Sequence, residues 1–521
     1  MVFTSWKKYR DFFANNKIDE DHFVLGIDLG KTSSAIAYFD PIRRNVEVLD
    51  ISGGYGKASA PTAIQFDAEA SEWIFGEYAI LNANGEGALL TDFVGALGEY
   101  IDVGDNLGLK SAAEVCATYI KELVAACRAI NPKAQIAGII ATIPDFVGTS
   151  AKQAMTTAFR RAGLETALID LVEEREALLS HFLQNETTSN AAPFIGHALV
   201  LDYGARGLRG GVYDINHKYG SYHAECVCVN HNADLGLSVL DGTISDLFTR
   251  FYCENFDIAA NKLSDAVTAQ LLTFTHQHKD MMFQQSGSVR LYYNFPYPPF
   301  SRQVTQEQVA EITQPIKRRI TGFVRDLLDK CNNPGNPIVV CTGGGFEMPW
   351  AKKHMQSLFN TNSLRFYKNS KLVLAEGAGF IAASRLGLVD NINLTITDNH
   401  KFPWDVGIDV FANGKPFFHP IIERGSWLWQ KSRTAFVIAE FDANALPLPI
   451  DFVRRNENGE RRKIGEVRLG SLPQRPPGTT KLAINITPTD IENLSVKVHD
   501  VGFGELFPAT DMEITTKIKI I

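Results

Sequence analysis

Several features that mark particular classes of protein are scarce in this 521-residue sequence. No window holds about 18 consecutive apolar residues, so the sequence predicts no membrane-spanning helix. Residues 1–22 mix charged and aromatic side chains and lack the apolar core of a secretory signal. Lys and Arg total 51 against 59 Asp and Glu, a net charge of −8, whereas nucleic-acid-binding domains are usually basic. These absences favour a cytoplasmic protein that binds neither membrane nor nucleic acid.

The seven cysteines form no Cys-x-x-Cys pair and no Cys/His spacing typical of a metal site. Cys226 and Cys228 alternate along an apolar run, which is typical of one face of a strand. We interpret them as small buried hydrophobes, with a metal or redox role as the alternative. A chain of this length buries enough core to need no disulfides. The length predicts roughly two to four domains.

A short unit, an apolar run that ends in Asp-x-Gly, occurs twice. Residues 24–30 read VLGIDLG, and residues 198–204 read ALVLDYG. A third apolar run, residues 337–342, ends in three consecutive glycines. Turns of this kind let backbone N–H groups approach phosphate oxygens closely. The repeat predicts a duplicated fold, each half opened by one such strand, with glycine turns of the kind that contact phosphate.

Helical patterns lie between these turns. Ser111-x-x-Glu114 and Thr305-x-x-Gln308 are capping boxes, each followed by apolar residues at helical spacing. Strands that alternate with such helices predict α/β architecture. Beyond residue 400 the apolar residues alternate with polar ones instead, and Asn458-Gly459 is typical of a hairpin turn. The sequence therefore predicts a separate all-β domain of about 120 residues.

Six segments, in the family's own order, resemble parts of the heat-shock protein 70 (DnaK) chaperones of the actin-like ATPase superfamily. Residues 23–40, FVLGIDLGKTSSAIAYFD, resemble the first phosphate loop. The other segments are residues 141–165, similar to the proline-bearing segment and its helix; 339–359, the adenosine-binding turn; 374–383, the Gly-Ala helix; and 405–425 and 464–478, the peptide-binding β-sandwich.

The resemblance implies an α/β duplicated actin-like (ribonuclease-H-like) nucleotide domain of two lobes at residues 23–388. A linker at 389–400 and a β-sandwich substrate-binding-like domain at 401–521 follow. Residues 1–22 are an N-terminal extension without a family counterpart. The chain ends soon after its last strands, so we expect no α-helical lid, and peptide capture that is fast and weak.

The resemblance also implies ligands and partners. ATP or ADP with Mg²⁺ is expected in the cleft, and unfolded or extended polypeptide is expected at the β domain. Co-chaperones, or another chaperone, are the further partners. Asp28 and Asp202 are expected to hold the magnesium ion through water, because Mg²⁺ prefers oxygen ligands and keeps several waters. The alternative is that each aspartate only caps the turn that follows it.

Further residues are assigned by the same resemblance. The nucleotide and phosphate contacts would come from Gly30, Lys31, Thr32, Gly204, Gly343, Gly344 and Gly345. Glu173 would orient the attacking water. A shift of one residue would nominate Glu174 instead, and a solvated, Glu-rich helix start is the alternative to both.

Two sets of residues concern the β domain. Pro144 and Lys152 match the family's relay between domains, although a proline after a strand and a lysine on a helix are common. The candidates for the peptide groove are Val406, Ile408, Phe411, Phe436 and Ile438. The alternative for these five is the core of the sandwich, where apolar strand residues lie by default.

The second phosphate loop departs from the family pattern. Gly207 replaces the threonine, and Arg209 replaces the second catalytic aspartate. Ala205 and Arg206 replace two glycines that, in the family, allow close approach to phosphate. These changes are expected to impair hydrolysis more than nucleotide binding.

Two further family residues are missing. The lysine over the γ-phosphate falls at Val94, and the arginine that stacks on adenine falls at Glu347. Because phosphoryl transfer depends on positioning and charge stabilisation, the loss of this lysine and the loss of the aspartate replaced by Arg209 are each expected to slow hydrolysis by a factor of about 10² to 10³. Lys31 replaces a threonine beside the β- and γ-phosphates and is expected to supply part of the missing charge.

The resemblance and these departures give three candidate functions. The first is a chaperone that binds ATP and hydrolyses it slowly. The second is a pseudo-ATPase, in which ATP is a structural ligand of an adaptor or regulator of another chaperone. The third, a small-molecule kinase of the same superfamily, has no place for the β-sandwich.

Overall fold

The computed structural model describes most of the chain from residue 22 onward. The described residues are 22–40, 42–51, 58–67, 70–82, 89–103, 108–130, 135–145, 149–190, 192–205, 207–284, 288–294, 299–331, 335–367, 369–370, 372–389, 393–397, 402, 404–412, 415–426, 433–439, 448–456, 458–470, 475–489 and 493–520. They divide into two compact units, one within Met1–Pro144 and Met155–Thr397 and one within Asp145–Ala154 and Asp398–Ile521.

The first sheet of the larger unit forms around the apolar run that ends at Asp28. The strand His22–Leu29 is buried beyond its first residue, as expected for a strand covered on both faces. It pairs in parallel with Gln135–Ile143 and antiparallel with Ser33–Asp40. The strand order is Leu168–Glu173, Gln135–Ile143, His22–Leu29, Ser33–Asp40 and Asn45–Val48, with Ser59–Pro61 also paired to Ser33–Asp40.

The second sheet repeats this arrangement around the second apolar run. Gly196–Gly204 pairs in parallel with Ile338–Thr342 and antiparallel with Gly207–Lys218. The strand order is Leu364–Phe366, Ile338–Thr342, Gly196–Gly204, Gly207–Lys218, Ser221–Asn232 and Asn393–Thr397. The first five strands match the five main strands of the first sheet in order and direction.

The last strand of the second sheet falls inside the predicted linker. Asn393–Thr397 pairs in parallel with the start of Ser221–Asn232. Its residues alternate between exposed and half-buried, which is the pattern of an edge strand with one face on the core. Five residues of the predicted linker 389–400 therefore belong to the larger unit.

Smaller elements complete the larger unit. The helices are Gly76–Leu81, Ala112–Ile130, Thr149–Arg161, Glu174–Asn190, Leu237–Phe256, Asp265–Gln284, Gln306–Lys330, Gly344–Glu347, Pro349–Leu358 and Val373–Arg385, with short 3₁₀ turns at Ala233–Leu235, Ala260–Lys262 and Thr361–Ser363; Thr149–Arg161 begins in the smaller unit. The additional strands are Ala63–Asp67, Glu72–Phe75, Leu89–Thr91, Tyr100–Asp102, Leu109–Ser111, Val289–Tyr293 and Phe300–Val304. Both predicted capping boxes are formed, at Ser111 and at Thr305.

The helix Val373–Arg385 packs against the first sheet with backbone in contact with backbone. A Cβ atom on Gly26 would lie 2.1 Å from the amide nitrogen of Gly379, and one on Gly377 would lie 1.9 Å from the carbonyl oxygen of Ala177. Only glycine allows an approach this close. The helix is thereby seated between His22–Leu29 and the helix that begins at Glu174.

The described part of the smaller unit beyond residue 400 consists of two four-stranded antiparallel sheets. One has the order Lys415–Ile422, Asp405–Ala412, Leu448–Arg455 and Arg461–Leu469, and the other Arg433–Ala439, Thr480–Pro488, Asn493–Asp500 and Glu513–Lys519. Apolar side chains from both sheets share one buried core. The predicted change from mixed α/β sheets to a β-rich C-terminal region is confirmed.

One charged pair is fully enclosed in the smaller unit. The side chains of Asp500 and Arg475 are 0% and 5% exposed. Both oxygens of Asp500 accept from the guanidinium, at 3.0 and 2.9 Å. The same carboxylate accepts from the backbone N–H groups of Gly502 and Thr510. Burial alone would raise the pKa of Asp500, but these hydrogen bonds outweigh it and hold the pKa below its usual 3.8.

Candidate functional site

The first phosphate loop follows the buried strand that carries Asp28. The Asp28 side chain lies in the interior, and its Oδ1 accepts a hydrogen bond from the Thr142 hydroxyl at 2.5 Å. Thr142 lies on the parallel neighbour Gln135–Ile143, where Ala141 pairs with Ile27. The carboxylate is thus fixed by a residue that the sequence analysis did not single out. Parallel pairing of the two strands is the signal that could have found it.

A second unpredicted residue, Thr62, supports the loop from beneath. Its hydroxyl donates to the carbonyl of Gly30 at 2.8 Å, and its N–H donates to the carbonyl of Thr32 at 3.1 Å. The same hydroxyl lies 2.8 Å from that of Ser34. Because Thr62 is 1% exposed, these contacts hold the backbone of the loop without competition from water.

Lys31, in the same loop, is held by a carboxylate. Its Nζ lies 2.7 Å from Oδ2 of Asp92, with the two side chains 36% and 40% exposed. Ion pairs this exposed contribute about 0–1 kcal/mol, so a phosphate group competes readily for the lysine. Val94, two residues further on and predicted from the resemblance to stand in place of a lysine, is buried.

The second loop is a tight hairpin in which an arginine faces an aspartate. Gly204 pairs with Gly207, and Asp202 pairs with Arg209. Gly207 has a φ of 146°, and a Cβ there would lie 2.5 Å from the carbonyl oxygen of Asn232. Arg206 lies outside the described residues. The hairpin register therefore brings the unexpected Arg209 directly against the predicted magnesium ligand.

Arg209 pairs with two carboxylates at once. One terminal nitrogen bonds Oδ2 of Asp202, and the other pairs with Oε2 of Glu174. The three side chains are 15%, 17% and 9% exposed, so little water screens them. Glu174 begins the helix after the first sheet's strand Leu168–Glu173, whereas Arg209 lies in the second sheet. The ion pair thus joins the two halves of the larger unit.

Glu173, the predicted base, has its own arginine. Oε2 of Glu173 lies 2.9 Å from Nε of Arg175, and both side chains are about 10% exposed. The guanidinium also contacts the Cys226 sulfur at 3.8 Å. Nearby, burial raises the pKa of Glu176, Arg385 opposes that rise, and the carboxylates of Asp170 and Glu173 add to it. Glu173 and Glu174 thus remain alternatives, each engaged by a different arginine.

The turn predicted to bind adenosine packs directly on the second loop. Gly343 has a φ of 86°, and a Cβ there would lie 2.4 Å from Oδ1 of Asp202. Gly344 begins the short helix Gly344–Glu347, and a Cβ on Gly345 would lie 2.1 Å from the Tyr203 ring. The predicted residues Asp202, Gly343 and Gly345 are therefore brought together. Exposed Glu347 accepts a hydrogen bond from Ser370 at 2.7 Å.

The relay and groove candidates lie elsewhere. Pro144 is buried directly after Gln135–Ile143, and Lys152 lies half-buried on the helix Thr149–Arg161. Of the groove candidates, Val406 and Ile408 are buried in the shared core. Their side chains lie on the core-facing side of the strand, which is the alternative stated above for all five.

The other three groove candidates lie on the surface. Phe411, Phe436 and Ile438 are 80%, 60% and 53% exposed. Phe417, which was not predicted, is 53% exposed on the strand paired with that of Phe411. Lys481 lies over the Phe436 ring at 4.9 Å.

The predicted magnesium site depends on two carboxylates, those of Asp28 and Asp202. Asp28 supplies an oxygen of the kind that Mg²⁺ prefers, but Oδ2 of Asp202 is engaged by the guanidinium of Arg209. Within the described ranges, no cluster of three or more His, Cys, Asp or Glu side chains could hold a metal ion. The pair therefore does not fit a shared magnesium ion in this arrangement, although the assignment stays a prediction.

The fold and loops define an α/β protein with two matched sheets, glycine turns at the strand ends, and a β-rich C-terminal unit. A family model described as a domain of unknown function (DUF8552) matches residues 401–520. None of the helices that the structure describes is long and apolar enough to cross a membrane.

Two curated relatives show what the chain is similar to. "Chaperone protein dnaK" of Thalassiosira pseudonana is 22% identical over 526 residues, which cover 92% of this chain and 81% of the relative. "Mitochondrial-type heat shock protein 70" of Encephalitozoon hellem is 22% identical over 387 residues, which cover 72% of this chain and 60% of the relative, less than two thirds of its length. The chain is thus distantly related to heat-shock protein 70 and DnaK proteins over most of its length.

Proposed function

We propose that this protein is a heat-shock protein 70-like molecular chaperone with slow ATP hydrolysis. It binds ATP or ADP in an actin-like nucleotide domain of two lobes, residues 23–388. Through the β-sandwich domain, residues 401–521, it binds unfolded or extended polypeptide, and residues 389–400 contain the connection. Co-chaperones, or another chaperone, are its further partners. The distant relationship to chaperones over most of the chain supports this proposal.

The matched construction of the two sheets carries the nucleotide part of the proposal. In each sheet the central strand delivers an aspartate and then a glycine turn. A threonine lies beside that aspartate on the parallel neighbour, Thr142 beside Asp28 and Thr342 paired with Asp202. Ligands of α/β sheets bind beyond the carboxyl ends of parallel strands. The two loops and the turn at Gly343 meet the needs of a phosphate-bearing ligand there.

Slow hydrolysis is supported by the ion pairs. Glu173 is held by Arg175, Asp202 by Arg209, and Lys31 by Asp92. These contacts engage the groups that would otherwise orient an attacking water or contact the phosphates. Val94, where the resemblance places the family's lysine over the γ-phosphate, is buried and uncharged.

Peptide binding is supported by exposed apolar side chains on the β unit. Phe411 pairs with Pro416 and Val410 with Phe417, so the two phenylalanines lie on one hairpin. Phe436 and Ile438 lie two residues apart, on one face of the strand Arg433–Ala439. Each of these exposed side chains offers an apolar contact to an extended peptide, and Phe411 and Phe417 do so on opposite faces of their hairpin.

The nucleotide proposal is tested at Gly343. We expect Gly343→Ala to push Asp202 aside and to weaken binding of a fluorescent ADP analogue by at least about tenfold. Gly335→Ala is the matched control, because Gly335 has a similar φ of 78° but nothing within 4 Å of the added Cβ. Equal affinities for the two variants, measured on protein with matched thermal unfolding, would count against a nucleotide beside Asp202.

The peptide proposal is tested by fluorescence anisotropy with a labelled extended apolar peptide. We expect Phe411→Ser with Phe436→Ser to abolish binding, since both rings are exposed and their loss leaves the core intact. Leu506→Ser, which removes an 88% exposed leucine of the same unit, is the control. No peptide binding by the unmodified protein, with or without nucleotide, would contradict the chaperone function.

A second function, a pseudo-ATPase adaptor or regulator of another chaperone, is favoured by the pairing of all three charged groups. In that case ATP is a structural ligand. Single-turnover hydrolysis, with protein in excess over labelled ATP, separates the two functions. Conversion to ADP within minutes supports a working chaperone cycle, and ATP that persists for hours supports the adaptor.

A further inference from the structure

The Arg209 guanidinium lies beside Asp202, a carboxylate that the sequence predicts as a magnesium ligand. Asp202 presents Oδ1 toward the turn at Gly343, and a Cβ there would lie 2.4 Å from that oxygen. Its Oδ2 bonds Arg209. The arginine thus stands beside the carboxylate that ends the central strand, between the second loop and the residue Glu174 at the start of a helix.

The pair is enclosed and rigidly placed. The hairpin register sets Arg209 opposite Asp202, and Glu174 engages the other terminal nitrogen. All three side chains are at most 17% exposed. A divalent ion at Asp202 would have to displace the guanidinium and leave this enclosed positive charge with Glu174 alone, and breaking a buried ion pair is unfavourable.

We propose that Arg209 is a built-in counter-ion that lets this protein bind nucleotide without a divalent metal ion. The inference rests on the proposed nucleotide binding and specifies the form of the ligand, which is the metal-free nucleoside di- or triphosphate. A guanidinium presents five N–H donors in a planar fork that matches phosphate oxygens. A fixed guanidinium thus supplies, beside Asp202, the positive charge that a metal ion would otherwise place between this carboxylate and the phosphates.

The test compares the affinity of the full chain for a fluorescent ADP analogue in excess magnesium and in EDTA. We expect the two dissociation constants to agree within about threefold, a difference under 1 kcal/mol. Arg209→Lys keeps the positive charge and should behave similarly. Arg209→Gln leaves Asp202 and Glu174 uncompensated, and we expect magnesium to tighten its binding by about tenfold or more.

The control is Arg365→Gln. Arg365 also pairs with a buried carboxylate, Glu186, but on the outer strand Leu364–Phe366 of the second sheet. It should keep the metal-independent binding of the unmodified protein, which separates the role of Arg209 from a general loss of a buried ion pair.

Each outcome decides the inference. Unmodified protein that binds at least about tenfold tighter with magnesium overturns it, while nucleotide binding itself stands. No binding in either condition overturns both the inference and the proposed nucleotide function. If Arg209→Gln does not fold, the comparison on the unmodified protein and on Arg209→Lys still decides.

Discussion

Removal of the enclosed carboxylate Asp500 should destabilise the smaller unit more than any surface change. Asp500→Ala leaves the guanidinium of Arg475, 5% exposed, without its partner. Breaking a buried pair by removing one member costs about 3–5 kcal/mol. The N–H groups of Gly502 and Thr510 also lose their acceptor. We therefore expect a loss of about 4 kcal/mol in the free energy of unfolding.

Thermal and urea unfolding of the full chain, followed by circular dichroism, measure this loss. At roughly 4 °C for each kcal/mol in a domain of this size, the transition of the smaller unit should fall by about 15 °C. Asp409→Asn is the control, because Asp409 and Arg461 form an ion pair in the same unit with both side chains about half exposed. Its expected effect is about 0–1 kcal/mol.

The effect also depends on pH. Because the native pKa of Asp500 lies below its usual 3.8, the stabilisation is complete above that value and disappears as the pH falls through the native pKa. The difference between the unmodified protein and Asp500→Ala should be constant from about pH 5 to 7 and shrink in stronger acid. A loss below about 1 kcal/mol at neutral pH, equal to that of Asp409→Asn, would refute the assignment of the pair as a buried support.

Three further changes test the packing and the first loop. Gly377→Val places an atom 1.9 Å from a backbone carbonyl oxygen, so we expect it to prevent folding of the larger unit. The control Gly322→Ala adds a methyl group in open space within a helix and should be neutral or stabilise by up to about 1 kcal/mol. Soluble yield and thermal unfolding measure both effects. Thr62→Val removes the buried hydroxyl beneath the first phosphate loop, and we expect a loss of about 1–2 kcal/mol in unfolding free energy together with weaker ADP binding. Lys31→Met should change stability by less than about 1 kcal/mol, because its ion pair is exposed, but should weaken ATP binding more than ADP binding in equilibrium titrations.

Much of the fold around the two aspartates follows from local patterns. Continuous apolar runs that end in Asp-x-Gly predict buried strands with turns, and capping boxes fix two helix starts. The pairing of Asp202 with Arg209 could also have been predicted from the sequence, because pairing of Gly204 with Gly207 sets the register of the whole hairpin.

Other features depend on long-range packing and could not be read locally. The contacts of Arg209 with Glu174 and of Lys31 with Asp92 join segments whose relative positions no short pattern specifies. The strand Asn393–Thr397 is too short to distinguish from a linker by its own residues. It becomes a strand because the edge of Ser221–Asn232 offers it a partner.

The two-residue period of a strand divides the groove candidates between two faces. Residues two apart on a strand share a face, so Val406 and Ile408 lie together and Phe411 lies opposite. The structure follows this rule, with the first two in the core and Phe411 80% exposed. Strand period alone therefore separates one predicted set into core and surface members.

The contact of Gly26 and Gly377 with neighbouring backbone has a mechanical consequence. Backbone atoms in direct contact have no rotamers with which to absorb a displacement, so the helix Val373–Arg385 has little room to shift against the first sheet or against the helix that begins at Glu174. Glu174 is therefore firmly tied to the first sheet, whereas Arg209 belongs to the second. Any separation of the two sheets must break the Glu174–Arg209 ion pair.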